Sequence, residues 1–568
     1  MENNNLFSHH IFLFPFQWEF VGKMMKNNNM EERTNLKEFV GLFDKDKWKR
    51  REYKIDTVLN YNEYNYFYSM VRDVLFDAGT DPDKSIIANL FYNIEPDQHF
   101  YEFKVFIDAK KSEFKTYKLH IESIILHLYS TGVGVLSFHL NNRLENQKEP
   151  DDILRINQAG RRIYPPFFAM DFDLIGTQSQ YEYNNFEKGL NIVKTKELAA
   201  EFSVINELDV EDFSKYHESG NFANNPFQLP GFFSFLFKGI PLTVERTDFK
   251  SDTKKVFINP LLDDRMYVIS WYGNDDLSTK ISNLVKVRKN LPSDFYDEDF
   301  DWWYKYIFND QKDKTCQDDY MKGELIQKHT YWRWSGYSTF YGINRYSFVC
   351  ITSSLENLKR NNAAFLVNHM QTIYYKMAEL CLVQRACILR FSQEVARISA
   401  MNENKKNSLT DRVSNLYKQY IRFVNRIYFR EITAQEQGIE LYSMLQEHMK
   451  IEQNVKDLDN EISELHQYAI LREDQERNKN LTLLSILGAV FIIPTFISGF
   501  YGMNLFPMDD KKEHIFLLWA FFWMGIVFTP ASFIWFLSTF RKKPNYLILL
   551  LSLLILLTTL ISPIILKL

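Results

Sequence analysis

Apolar and polar positions fall into three regimes along the chain. From Ser353 to Glu476 there is no proline and one glycine, Gly438, among many Leu, Glu, Gln, Lys and Arg residues. That composition predicts helix. The run NENKKN, Asn402–Asn407, reads as the turn between two antiparallel helices. Beyond it Val455, Leu458, Ile462, Leu465 and Ala469 repeat at alternating spacings of three and four, the seam of a helix packed along others. No breaker separates this seam from the apolar run that follows. The pattern therefore predicts one unbroken helix from Ile432 to Tyr501, roughly 105 Å long at about 1.5 Å per residue. Its seam needs other helices or other copies of the chain, so an oligomer is expected.

The C-terminal regime is almost purely apolar. Leu481–Tyr501, Ile515–Phe540 and Tyr546–Leu566 carry no charged residue, and each reaches the length of about 20 residues that crosses a bilayer. Buried core helices rarely lack charge on every face, so membrane spans are predicted at 481–501, 515–540 and 546–566, after a helical stalk over 351–480. Residues 1–350 mix strand and helix signals. Tyr117–Asn141 reads as a β-hairpin turning at Thr131-Gly132-Val133-Gly134, and Val256–Tyr272 as a further strand region.

Composition adjusts this picture in a few places. The 568 residues are 46% hydrophobic and 24% charged, ordinary values that exclude bulk disorder. The mean hydropathy of −0.31 blends a water-soluble part with the apolar end. A net charge of −5 and a pI near 6.2 argue against direct nucleic-acid binding. Four cysteines, Cys316, Cys350, Cys381 and Cys387, form no disulfide framework and fit a reducing cytoplasm. The first residues lack the basic stretch of a secretory signal, and none is expected. Arg472, Arg477 and Lys479 precede the first span and Arg541, Lys542 and Lys543 follow the second. Both clusters then lie on one side, which the positive-inside tendency makes cytoplasmic, although Lys511 and Lys512 between the spans weaken the bias. The N-terminal part is expected inside the cell, with a multi-pass anchor in the plasma (inner) membrane and its lipid.

The first span ends in FIIPTFISGFYGMN, closing on Tyr501-Gly502-Met503-Asn504. This motif, at the end of an uncharged span after a long proline-free helix, resembles the CorA family of divalent-cation transporters over Ser353–Lys543. The resemblance implies an α+β cytoplasmic domain, a long α-helical stalk and C-terminal transmembrane helices in a funnel-shaped homo-oligomer, a pentamer in that family. It implies Mg2+ as the transported or regulatory ion and no enzyme activity. Magnesium sheds its waters reluctantly, and a ring of Asn504 amides offers acceptors to the hydrated ion without the grip of carboxylates. Gly502 permits a sharp turn and Tyr501 suits the membrane interface. Thr495 would add a second ring of oxygen, or bond its own backbone instead. Leu481, Leu484, Gly488 and Ile492 share its face, either as an apolar gate or as packing. Two departures stand out: Pro494 directly precedes Thr495, one position closer than the family pattern, and LFPMDDKKEH replaces the usual MPEL stretch. The third span is extra.

Residues 1–350 exceed the family's usual domain. Aromatic clusters at Asp301–Tyr306 and Tyr331–Trp334 suit a core or interface better than ring stacking on a ligand. Arg161 and Arg162 beside Tyr164-Pro165-Pro166 suit a phosphate-bearing ligand, but a solvated turn or an inter-subunit salt bridge is the stronger reading. The enlarged domain resembles the branch associated with type III CRISPR defence, which implies a membrane effector opened by a nucleotide second messenger. GxGxxG, GxxxxGKS/T, HExxH, GxSxG and CxxC are all missing, so the common catalytic fingerprints are absent. A nuclease or lyase built from scattered Asp and Glu over residues 1–350 is the rival enzyme reading, and a non-conducting scaffold is the third alternative.

Overall fold

The computed structural model describes residues 5–22, 33–50, 53–76, 86–95, 98–108, 113–163, 199–204, 211–212, 229, 233, 236–243, 254–262, 265–288, 298–311, 314–400 and 406–502. The chain divides into two units, Met1–His466 and Gln467–Leu568. The first unit is built on one sheet, fourteen-stranded among the described residues. Its main strands are β1 (Ser8–Val21), β2 (Ile87–Tyr92), β3 (Phe100–Asp108), β4 (Glu113–Tyr129), β5 (Val133–Asn142), β6 (Lys255–Pro260), β7 (Tyr267–Gly273), β8 (Phe340–Ile343) and β9 (Ser347–Thr352). They run in the order β8-β9-β7-β1-β5-β4-β3, with β2 also on β4 and β6 also on β1. Along that path only β7–β9 is parallel.

Strand β1 is the axis of the sheet. Phe12, Phe14, Phe16, Trp18 and Phe20 recur every second residue and enter one apolar core with Ile124, Leu126 and Leu128 of β4 and Leu136, Phe138 and Leu140 of β5. Helix α1 (Pro150–Gly160) covers that face with Ile153, Leu154 and Ile156. Period-2 alternation sends the intervening residues to the opposite face. Pro15 sits mid-strand, where a missing N–H would normally break the ladder. Here its carbonyl accepts from Leu261 (3.2 Å) at the junction where β7 stops pairing at Leu13 and β6 begins at Phe16. The absent donor thus falls in a seam between two strands.

The hairpin expected over Tyr117–Asn141 forms as β4–β5, and Val256–Tyr272 forms two strands, β6 and β7, end to end on one edge of β1. At the hairpin turn Gly132 has φ 76°, and a Cβ there would lie 2.8 Å from Arg390 and Thr34. Neither contact nor backbone angle tolerates a side chain.

Against the second face lies helix α2 (Ile373–Ser399), buried over most of its length. The interface is polar. Glu379 holds His127 of β4, Tyr375 meets Ser137 of β5 at 3.0 Å, and Thr131 meets Cys387 at 3.2 Å. Arg33 binds Glu19 of β1 and lies 3.4 Å from Glu394, which also takes Arg397 at 2.7 Å. Helices α3 (Lys406–Arg426) and α4 (Glu436–Met449) pack on α2 through Phe391–Phe423 rings 5.7 Å apart and a Gln384–Tyr442 hydrogen bond of 3.0 Å.

The unbroken helix expected from Ile432 is corrected. Lys450, at φ 54° in the left-handed region, ends α4, and its N–H bonds to Gln446 and Glu447 carbonyls. The long helix α5 starts after it and runs Ile451–Gly502, 52 residues. Met449 and Ile451 are both fully buried on either side of exposed Lys450, and the turn lets each helix end bury its own residue while the lysine stays in water.

Two predictions follow from this packing. Removing one member of a buried ion network strands its partners, at about 3 kcal/mol. Glu394→Ala is expected to lower the melting temperature in detergent by several degrees. Glu473→Ala, which breaks only an exposed pair with Arg477, is expected to change it little. Differential scanning fluorimetry compares the two, and equal shifts would refute the assignment. The second concerns pH. Burial lowers His10 to about 3 and His139 well below 6.5, and it lowers His9 against the pull of Glu122. His10 and His139 stay neutral when folded and protonate below pH 6.5 when unfolded, and His9 is shifted in the same direction. Stability is therefore unaffected by them above about pH 7. It falls on acidification from pH 6.5 by about 1.4 kcal/mol per pH unit for each neutral imidazole. Melting scans at pH 7.5 and 5.5 are expected to show the loss, and His10→Gln to shrink it.

Candidate pore-lining helix

Helix α5 begins as a packed element. Val455, Leu458 and Ile462 are buried and Leu465 is half-buried, which is the seam read from their spacing. Tyr420 donates to the Val455 carbonyl at 3.3 Å, and Tyr417 stacks on His466 at 4.5 Å. Farther along, the helix carries exposed charge, with Arg477 paired to Glu473 one turn back at 2.6 Å.

The uncharged run begins at Leu481. Leu481, Leu484, Gly488, Ile492, Thr495 and Gly499 are all exposed, the three large side chains by 59–66%. At about 100° per residue these six positions fall within an arc of about 80°. The stripe therefore combines apolar side chains, one hydroxyl and two glycines on one line of the helix. A Cβ added at Gly488 or Gly499 would meet nothing within 4 Å, so these positions leave room for close approach of a neighbour. Thr482 bonds back to the Asn478 carbonyl at 2.7 Å. The helix continues through Pro494 to Gly502, so the shifted proline does not end it.

Tyr501 and Gly502 form the last residues of α5, and their side chains lie outside the described residues, as do Met503 and Asn504. The runs 515–540 and 546–566 are outside as well. Among the described residues no helix is long and apolar enough to cross a membrane, and no group of three or more His, Cys, Asp or Glu is placed to hold a metal ion.

Arg161 and Arg162 do not share one open turn. Arg161 caps α1, is 4% exposed, and accepts at its carbonyl from Met266 (2.8 Å). Burial raises the Asp310 carboxyl, and the charge of Arg161 is among the influences that oppose this rise. Arg162 is half-buried and bridges to Arg265, and Tyr164 lies outside the described residues. The aromatic clusters are structural. Trp303 and Tyr306 are fully buried, bonding Thr330 and Ser270 at 2.9 Å, while Tyr331 and Arg333 tie their loop to Glu440 and Glu436 of α4.

No curated protein and no solved structure matches this chain. Residues 352–543, from the end of β9 through α5 and onward to the basic cluster Arg541-Lys542-Lys543, match the family described as CorA-like Mg2+ transporter protein, the family that the Tyr501-Gly502-Met503-Asn504 motif resembles.

Proposed function

We propose that this chain assembles as a homo-oligomer, a pentamer by family likeness, into a membrane conductance for divalent cations, Mg2+ first among them. The observation that carries the reading is the exposed stripe Leu481–Gly499 on a helix that leads into Tyr501-Gly502-Met503-Asn504, within the portion matching the family. An apolar stripe of this length needs a covering. Symmetric copies facing one another supply it and make rings of each side chain. Rings of Leu481, Leu484 and Ile492 would close a pore to water, and rings of Thr495 and Asn504 would hold the hydrated ion through its water shell. In this reading the N-terminal unit is cytoplasmic, spans 481–501, 515–540 and 546–566 anchor the chain, and the third span lies peripheral to the pore.

A second reading is an effector that a cytoplasmic nucleotide opens. Its support is helix α2, which belongs to the matched portion yet is packed over the large sheet supplied by residues outside it. A ligand on the sheet side would then act on the conducting portion through a shared interface.

Purified protein in liposomes loaded with a Mg2+-sensitive dye tests the first reading. Mg2+ entry is expected, with Asn504→Ala reducing it at least tenfold and Leu484→Ser raising the resting leak. Entry unaffected by Asn504→Ala would refute the assigned ring. If the wild type is silent while Leu484→Ser conducts, the protein is a closed channel awaiting a ligand.

A further inference from the structure

A cavity of about 830 Å3 opens in the first unit where β2, β4 and α2 meet the segment Arg50–Phe76. Its volume lies within the range that encloses a small organic ligand. The lining carries three basic side chains, Arg50, Lys54 and Lys376, against one carboxylate, Asp56. Behind Lys376 stands Glu63 at 3.4 Å, and behind His127 stands Glu379, so two of the basic groups are oriented from outside the cavity. Aromatic surface lies between them. Tyr53 and Phe76 rings are 4.3 Å apart, and Lys376 reaches to 5.2 Å from the Phe76 ring.

Asn89 of β2 supplies the independent observation. It lines the cavity, is only 6% exposed, and its Oδ1 has no hydrogen-bond partner among the described residues. A buried carbonyl oxygen without a donor is costly. Nothing in the surrounding sheet relieves it, whereas an amino or hydroxyl group of a ligand would.

We propose that this cavity binds an anionic small molecule with a planar ring and a hydrogen-bond donor, of the nucleoside-phosphate class. Phosphate is drawn by Arg50, Lys54 and Lys376, the ring packs on half-buried Tyr53, behind which Phe76 is buried, and an amino or hydroxyl group donates to Asn89 Oδ1. The site deepens the second reading above, on which its regulatory meaning rests. Lys376 and Glu379 both belong to α2, so the ligand touches the sheet and the family-matched portion together.

The test is binding of trinitrophenyl-ATP to the full chain in detergent, read by fluorescence, with ATP, adenosine and tripolyphosphate as competitors. Saturable binding is expected, displaced by ATP better than by adenosine or tripolyphosphate alone. Lys54→Glu is expected to weaken it about tenfold and Asp56→Asn to tighten it about threefold. Both residues are exposed and leave the fold intact; Lys456→Glu, on α5, is expected to change nothing. Absence of ATP-displaceable binding, or equal affinities across the three variants, overturns the site. Displacement by tripolyphosphate as strong as by ATP overturns the ring contact. Binding with Mg2+ entry unmoved by ATP would leave the site standing and sink the gated reading alone.

Discussion

Glu379 and Glu394 are two carboxylates on the buried side of α2, and the arrangement of the first unit depends on how the sheet meets them. Glu379 is answered by His127 of β4, while Glu394 is answered by Arg33, which also holds Glu19 of β1. Removing such charges from water costs several kcal/mol each unless partners stand at the right places. A slide of α2 by one turn, about 5.4 Å, would strand all of them at once. The ion network therefore sets the register of helix on sheet more strictly than apolar packing would, because apolar surfaces tolerate sliding and unpaired charges do not. Ser137–Tyr375 and Thr131–Cys387 fall into place along the same line.

That fixed register joins residues that the family match covers to residues that it does not. β1, β4 and β5 precede residue 352, and α2 follows it. The other side of α2 takes α3 and α4, through Phe391–Phe423 and Gln384–Tyr442, and α3 in turn reaches the first turns of α5 through Tyr420 and Val455. The large N-terminal sheet is thus packed into the family-matched portion rather than appended to it. It forms one of the surfaces that bury α2, alongside α3 and α4.

Much of this was legible from alternation and spacing. The hairpin at β4–β5, the strands β6 and β7, the helical region after residue 353 and the α5 seam follow from period-2 and period-3.6 patterns that need only local physics. β1 went unread although Phe12, Phe14, Phe16, Trp18 and Phe20 alternate perfectly. Pro15 and the paired histidines argue against a central strand, and only the seam between β6 and β7 makes the proline harmless. The break at Lys450 left no local mark either, since lysine has no preference for the left-handed region and the residue carries no glycine or proline signal. Arg161 reads as exposed beside prolines, yet the fold turns it inward toward Asp310.

The two candidate sites differ in legibility for the same reason. The stripe from Leu481 to Gly499 lies on one helix, so its geometry is contained in the numbers of its residues. The cavity gathers Asn89, His127 and Lys376 from three elements and Lys54 from a loop, spread over more than three hundred positions, and no spacing rule reaches that far. Its chemistry is nonetheless the more demanding of the two. An apolar stripe can be covered by any apolar neighbour, lipid or protein. The cavity asks for more than apolar cover, since the Asn89 Oδ1 lacks a donor and the lining side chains are predominantly basic. Because it shares α2 with the family-matched portion, the cavity lies where an occupant would bear on the packing of that helix against the sheet.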